Sequence, residues 1–283
     1  MSIAGFGAAA PAGDAEASLS DDLFVVYQRW VHQATGIYLS AAKKTLLCGR
    51  LAKRLRVRNV SGYREYYELV SSGKDAAETE TCINLITTNE TYFFREPKHF
   101  EFLRAKVLPT LRRQSRCRIW SAASSSGEEA YTLAMVLAEE LGMKAGWEIL
   151  GSDVSTAVLE RAAAAQYPME RAAGIPTELL QRYCLKGVET QEGTFVIGPE
   201  LRGRTRFGQV NLVRPLPDVG QFDIIFLRNV LIYFQPDVKT AVVERLADRL
   251  KPGGWFFIGH SETLNGLTRC LTPVIPTVYR KEE

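Results

Sequence analysis

The sequence predicts an α/β protein, a parallel sheet preceded by a small all-helical domain, and three observations lead there. Up to about residue 88, apolar residues recur at helical spacing between recognisable caps. Beyond Pro109, strand-like runs alternate with helix-like ones, as βαβ units require. Between Ile175 and Leu201 that rhythm breaks: Gly187, Gly193, Gly198 and Pro199 punctuate short β-prone pieces, which read as an inserted β excursion. The expected division is a flexible tail at 1–20, a helical domain at 21–88, and an α/β domain at 89–283 carrying the insertion at 175–205. At 283 residues and 46% hydrophobic, the chain can bury one large core and a smaller one.

In chain order, Ser20-Asp21-Asp22 caps a helix over Leu23 to Ala34, which Thr35-Gly36 ends. A second helix runs from about Ala41 to Arg58, with Leu47, Leu51 and Leu55 as its buried stripe. At about 100° per residue, Lys43, Arg50, Lys53 and Arg54 fall on one flank of that stripe. Ser61-Gly62 interrupts, and short helices follow at Tyr63 to Ser71 and Glu78 to Thr87. Strands are then expected at Arg118 to Ala122, Glu148 to Ser152, Arg206 to Val210, Phe222 to Leu227, Trp255 to Gly259 and Val278 to Arg280. Helices fall between them at Glu128 to Leu141, Ser155 to Ala165 and Asp237 to Leu250, the last stopped by Lys251-Pro252-Gly253-Gly254.

Charge distribution says more than the total of +3. From Leu23 to Arg64 there are nine basic residues and no Asp or Glu, so the rest of the chain sums to −6. A positive field on one segment suggests an acidic partner, although a solvated helix face would give the same pattern. The Ala/Gly-rich start lacks a secretory pattern, and no apolar run approaches the ~18 residues of a membrane span, so a cytoplasmic chain without membrane insertion is expected. Five scattered cysteines and three histidines give neither a disulfide framework nor a metal site, and each cysteine is expected to be a small buried apolar residue.

Ligands of open parallel sheets bind beyond the carboxyl ends of the strands. The first strand ends in Ser121-Ala122-Ala123-Ser124-Ser125-Ser126-Gly127-Glu128-Glu129, small residues that let a ligand approach the backbone. Neither a P-loop nor Gly-x-Gly-x-x-Gly is present. The two acids suit a positively charged ligand such as a sulfonium, or simply complement the helix dipole. Asp153 ends the second strand 26 positions after Gly127, placed to hydrogen-bond ribose hydroxyls or to cap the next helix. With Asn211-Leu212 and Arg228-Asn229 at the next strand ends, four polar termini converge on one cleft, which implies a nucleoside-containing cofactor.

Four motifs in order carry a family resemblance. They are Thr88 to Glu96 (TNETYFFRE), the Ser-Gly-Glu-Glu run, Phe222 to Phe234 (FDIIFLRNVLIYF) and Gly259-His260-Ser261-Glu262. Over roughly Leu19 to Arg280 the chain resembles the CheR family of chemotaxis receptor glutamate O-methyltransferases. The resemblance implies a helical domain joined to a Rossmann-like class I methyltransferase domain with a small antiparallel β subdomain. It implies S-adenosylmethionine as cofactor, S-adenosylhomocysteine as product, and a site lined by Asn89, Thr91, Arg95, Ala123, Glu129, Asp153, Asn211, Leu212, Arg228 and Asn229. Arg95 and Tyr233 would sit nearest the transferred methyl as catalytic residues. The basic helix, through Lys43, Arg50, Lys53, Arg54 and Arg56, would face the helical cytoplasmic region of the receptor. The β subdomain, with its loop from Gly187 to Gly193, could grip a receptor's C-terminal peptide. The protein would act as a monomer.

A glutamate carboxylate, with pKa about 4.3, is ionised at neutral pH, so attack on a sulfonium methyl needs no general base and positioning supplies the catalysis. Arg95 would orient a carboxylate of cofactor or substrate, unless it serves only as a salt bridge, and Tyr233 would align the acceptor oxygen. A nucleic-acid methylase is the main competitor, but Arg228-Asn229-Val230-Leu231 stands where amino-nitrogen methylases carry Asn/Asp-Pro-Pro-Tyr/Phe, so no nucleic-acid partner is expected. A cofactor-binding sensor without turnover is the third reading. His260 beside Ser261 lacks the Gly-x-Ser-x-Gly elbow of a hydrolase.

Overall fold

The computed structural model describes residues 18–112 and 115–282, and these fall into two compact units. One holds residues 18–34 and 39–86; the other holds 35–38 and the chain from 87 onward. The expected tail lies mostly outside the described residues, but its last part is ordered. Leu19 is buried, and the Ser20 hydroxyl accepts the Leu23 N–H at 3.2 Å, the predicted cap.

The first unit contains α1 (Asp21–Thr35, whose last residue belongs to the second unit), α2 (Lys44–Arg58), α3 (Tyr63–Ser71) and α4 (Ala76–Ile86). Leu47, Leu51 and Leu55 are its buried stripe, as their spacing predicts. The basic flank differs from expectation. Lys43 lies in a 3₁₀ turn, Ala41–Lys43, so the α-helical angle does not place it. Arg54 turns inward and grips Glu78, whose carboxylate is 2% exposed, through Nε at 2.9 Å and Nη2; Tyr66 Oη donates to the same carboxylate at 2.6 Å. Arg50 Nη1 donates to the Ile86 carbonyl at 2.5 Å. Arg50 and Arg54, half-buried, tie α2 to α4, while Lys43, Lys53 and Arg56 are exposed.

The second unit is built on a seven-stranded sheet. Its strands are β1 (Cys117–Ala122), β2 (Trp147–Asp153), β6 (Thr205–Gln209), β7 (Phe222–Leu227), β8 (Leu250–Ile258), β9 (Leu271–Ile275) and β10 (Val278–Lys281), in the order β6-β2-β1-β7-β8-β10-β9. The first five are parallel, and β10 pairs antiparallel with β8 and β9. The main crossover helices are α7 (Glu128–Leu141), α8 (Thr156–Ala164) and α11 (Pro236–Asp248). One core cluster gathers Leu133, Leu137 and Phe226, and another gathers Trp120, Val242 and Phe256.

Three elements depart from the sequence reading. β8 begins at Leu250, with a register irregularity that lets Lys251 to Gly254 bulge within the strand instead of only stopping α11. Residues 98–111, read as no element, are helical: α5 (Lys98–Phe102), a π-helical turn (Leu103–Val107) and α6 (Leu108–Leu111). The small antiparallel sheet has the order β3-β5-β4, from β3 (Gln166–Pro168), β4 (Cys184–Lys186) and β5 (Thr194–Ile197); α9 (Thr177–Tyr183) leads into β4, and α10 (Pro199–Arg202) follows β5. It therefore starts at 166 rather than 175, and Thr205 already belongs to the main sheet.

Of the cysteines, Cys82 and Cys117 are buried, Cys48 and Cys184 half-buried, and Cys270 exposed, so the expectation of burial fails for the last. No helix among the described residues is long and apolar enough to cross a membrane.

Candidate active site

The strand order reverses between β1 and β7, because the chain runs from β1 outward to β2 and later returns to the other side of β1. Open α/β sheets bind ligands in the crevice beyond the carboxyl ends of the strands at such a reversal.

The loop after β1 is tightly wound. Ala123, Ser125 and Gly127 all have left-handed φ (64°, 50° and 95°), and a Cβ on Gly127 would lie 2.9 Å from that of Ala162. Asp153, at the end of β2, holds this loop: one carboxylate oxygen accepts the Ser125 N–H and the other the Ser155 N–H, each at 3.0 Å. The Ser155 N–H belongs to the residue before α8, so Asp153 closes the turn that leads into the helix and does not cap the helix's own N–H groups. Its carboxylate can still accept a further donor such as a hydroxyl. Burial raises its pKa against these backbone donors. Asn211 and Leu212 follow β6 alongside it, since the Val210 N–H donates to the Asp153 carbonyl at 3.0 Å. Asn89 reaches the same loop, its carbonyl accepting the Ser125 hydroxyl at 3.1 Å.

Arg228 leaves the end of β7 with its side chain 1% exposed and bridges the crevice. Nη1 donates to Glu129 at 2.9 Å, and Nη2 donates to Glu96 at 2.9 Å and to the Arg95 carbonyl. Glu129 also accepts the Ser121 hydroxyl at 2.7 Å. Glu96 accepts from Asn229 Nδ2 at 3.1 Å and from the His260 N–H at 3.2 Å. Burial would raise the Glu96 pKa, but the Arg228 charge and these donors outweigh it and hold the carboxyl at about 2. Two carboxylates against one guanidinium leave the cluster one negative charge in excess.

Arg95 itself is half-buried; its Nη1 donates to the Glu90 carbonyl at 2.8 Å, and its guanidinium lies 5.7 Å from the Tyr92 ring centroid. The next residue, Glu96, is the one that pairs with Arg228. Thr91 is buried, and its carbonyl accepts from Arg171 Nη1 at 2.6 Å. Tyr233 lies in a 3₁₀ turn, Leu231–Tyr233, just beyond Asn229; its carbonyl accepts the Tyr38 N–H at 2.8 Å.

Sequence reasoning gave no separate role to Glu96, His99, His260 or Glu262, although three of them stand inside the motifs. His99 is 2% exposed, with Nε2 at 2.7 Å from Thr277 Oγ1 and Nδ1 at 3.4 Å from Glu96. Burial, then the Arg228 charge, lowers its pKa to about 3. Glu96, His99 and His260 bring potential ligand atoms within 4.8 Å of one another. The Arg228 guanidinium, already on Glu96, opposes a cation there.

The donor set fits a nucleoside carrying an amino acid. The Asp153 carboxylate can accept hydroxyls, and the surplus negative charge around Arg228 suits a sulfonium or ammonium.

Comparison with known proteins is consistent with this geometry. A family described as "CheR methyltransferase, SAM binding domain" matches residues 89–279, and its companion, "CheR methyltransferase, all-alpha domain", matches residues 23–87. Among similar proteins, the chemotaxis protein methyltransferase of Salmonella typhimurium is 37% identical over 264 residues, covering 93% of this chain and 91% of that one. That of Escherichia coli is 38% identical over 264 residues, with the same coverage, and chemotaxis protein methyltransferase 2 of Pseudomonas aeruginosa is 36% identical over 269 residues, covering 94% and 95%.

Proposed function

Because the chain belongs to the CheR methyltransferase family, and is therefore an S-adenosylmethionine-dependent methyltransferase, we propose that it methylates glutamate side chains of chemotaxis receptors. The product is a glutamyl methyl ester, used in sensory adaptation. The observation that carries this reading is the Glu129-Arg228-Glu96 bridge across the point where strand order reverses, with Asp153 beside it.

When bound, S-adenosylmethionine supplies a methyl group made electrophilic by its sulfonium. The residues that hold it are Asn89, Thr91, Arg95, Ala123, Glu129, Asp153, Asn211, Leu212, Arg228 and Asn229. Asp153 accepts hydroxyls, and Glu129 and Glu96 keep the crevice negative. Arg95, half-buried at the rim, orients a carboxylate; Tyr233 aligns the acceptor oxygen. The acceptor is already ionised at neutral pH, so no side chain has to remove a proton, and orientation supplies the rate. Lys43, Lys53 and Arg56 supply the exposed positive charge for an acidic helical receptor surface. Leu185 in β4 and Val188 in the loop after it are 57% and 70% exposed, apolar contacts suited to a receptor's C-terminal peptide. The protein works in the cytoplasm, as a monomer.

The test is transfer of radiolabelled methyl to receptor-rich membranes, followed by mild alkali. Alkali-labile label on receptor protein is the expected result; alkali-stable label, or none, would refute glutamate esterification.

A further inference from the structure

Beyond the residues that face the cofactor, the turn from Asn229 to Tyr233 has its own internal support. Glu262 is 9% exposed and sits just past β8, beside the end of β7. One of its oxygens accepts the Gly259 N–H at 2.6 Å and the Asn229 N–H at 2.9 Å; the other accepts the Ile232 N–H at 3.3 Å. A single buried carboxyl thus gathers backbone donors from the ends of both strands and from the turn, of which the Gly259 N–H lies in a fully buried bond. The turn needs such help. Asn229 has a left-handed φ of 57°, and the turn's own bonds are Tyr233 N–H to the Val230 carbonyl and Phe234 N–H to the Leu231 carbonyl, each 3.1 Å. The approach is also sterically exclusive: a Cβ on Gly259 would lie 2.5 Å from Asn229 Nδ2 and 2.8 Å from its N.

The two oxygens serve different ends of the turn. Arg228 and Asn229 are held independently through Glu96, and Arg228 also through Glu129. The segment carrying Tyr233 has, besides its own 3₁₀ bonds, the contacts of the Ile232 and Leu231 N–H groups with Glu262 on one side and the short bridge to Ile37 and Tyr38 on the other. We propose that Glu262 is a positioning residue that sets the place of Tyr233, and with it turnover, while contributing little to cofactor affinity. This rests on the role given to Tyr233 above.

Glu262→Gln isolates the effect. The amide keeps most bonds by turning its oxygen to Gly259 and Asn229, which points its NH₂ at the Ile232 N–H and pushes on the Tyr233 turn alone. Displacements near 1 Å cost turnover up to about 100-fold. The expected result is a 10- to 100-fold loss of turnover, with S-adenosylhomocysteine affinity by calorimetry within about 3-fold of wild type. In protein labelled with 3-fluorotyrosine, the ¹⁹F resonance assigned by its loss in Tyr233→Phe should shift or broaden. Tyr233→Phe added to Glu262→Gln should cost far less than it does alone, because both act through one hydroxyl. An unmoved Tyr233 resonance, or full additivity of the two substitutions, overturns the inference. If Tyr233→Phe alone leaves turnover unchanged, the role of Tyr233 is what fails, and the resonance still decides whether Glu262 places the turn. Should Glu262→Gln not fold, Gly259→Ala presses on the same turn from the other side and is expected to move the same resonance; an unmoved resonance there overturns the inference as well.

Discussion

Replacing Glu96 by Gln keeps the shape of the side chain and removes the charge that Arg228 is built around. The guanidinium is 1% exposed and lies 2.9 Å from both Glu96 and Glu129, so the variant leaves it buried with half its counter-charge. Two routes give the cost. The Glu96 pKa falls from the ordinary 4.5 to about 2, which at 1.36 kcal/mol per unit means that the fold favours the carboxylate by about 3 kcal/mol. Breaking a buried ion pair by removing one partner costs roughly 3–5 kcal/mol. The routes agree at about 3 kcal/mol, a large share of a typical domain's stability.

The pH dependence gives this estimate a signature. The folded pKa lies below the unfolded one, so the contribution is fully present above about pH 4.5 and is lost as pH falls toward 2. Urea unfolding followed by tryptophan fluorescence reads the right unit, because Trp120, Trp147 and Trp255 all lie in it. Glu96→Gln should lower stability by about 3 kcal/mol at pH 7 with an unchanged m value, and the gap from wild type should narrow below pH 4.5. A loss under about 1 kcal/mol at pH 7, or a gap as wide at pH 3.5 as at pH 7, would refute the reasoning.

His99 acts in a different window: its pKa is lowered from 6.5 to about 3, so the unfolded chain takes up a proton first and stability is lost as pH falls through 6.5 toward 3. His99→Gln should therefore flatten the stability profile between pH 6.5 and 5, where the Glu96 contribution is fully present and does not vary with pH, as denaturant titrations at those pH values would show. In the first unit, Arg54→Met removes the nearer guanidinium from the buried Glu78 carboxylate, leaving Arg58 at 3.7 Å and the Tyr66 hydroxyl, and should cost about 2 kcal/mol, whereas Lys53→Met should stay within about 0.5 kcal/mol. Thermal unfolding followed through Trp30 distinguishes the two.

How far the sequence could be read depended on the range of the interactions that set each element. The helices over Tyr63–Ser71 and Glu128–Leu141 and the strand Phe222–Leu227 fall at the predicted residues, because caps and periodicity are local signals. β3 was invisible: three residues after a helix have no period, and Gln166 to Pro168 become a strand only by pairing with Val196 to Thr194. The helical run around Pro109 was masked by that proline, which is tolerated because it sits in the first turn of α6. The acid that pairs with Arg54 was not visible in the basic window, since Glu78 lies 24 residues away on another helix. The site divides in the same way. Asp153, Arg228 and Asn229 stand at strand ends, and Glu129 in the first turn of the helix that follows β1, where topology alone makes a residue a candidate. Glu96 and Glu262 do not: their partners are a buried guanidinium and the N–H groups of turns brought together when β7 and β8 lie side by side, with Leu227 opposite Ile258. A linear sequence displays an acid that faces a ligand more readily than an acid that holds the facing residues in place.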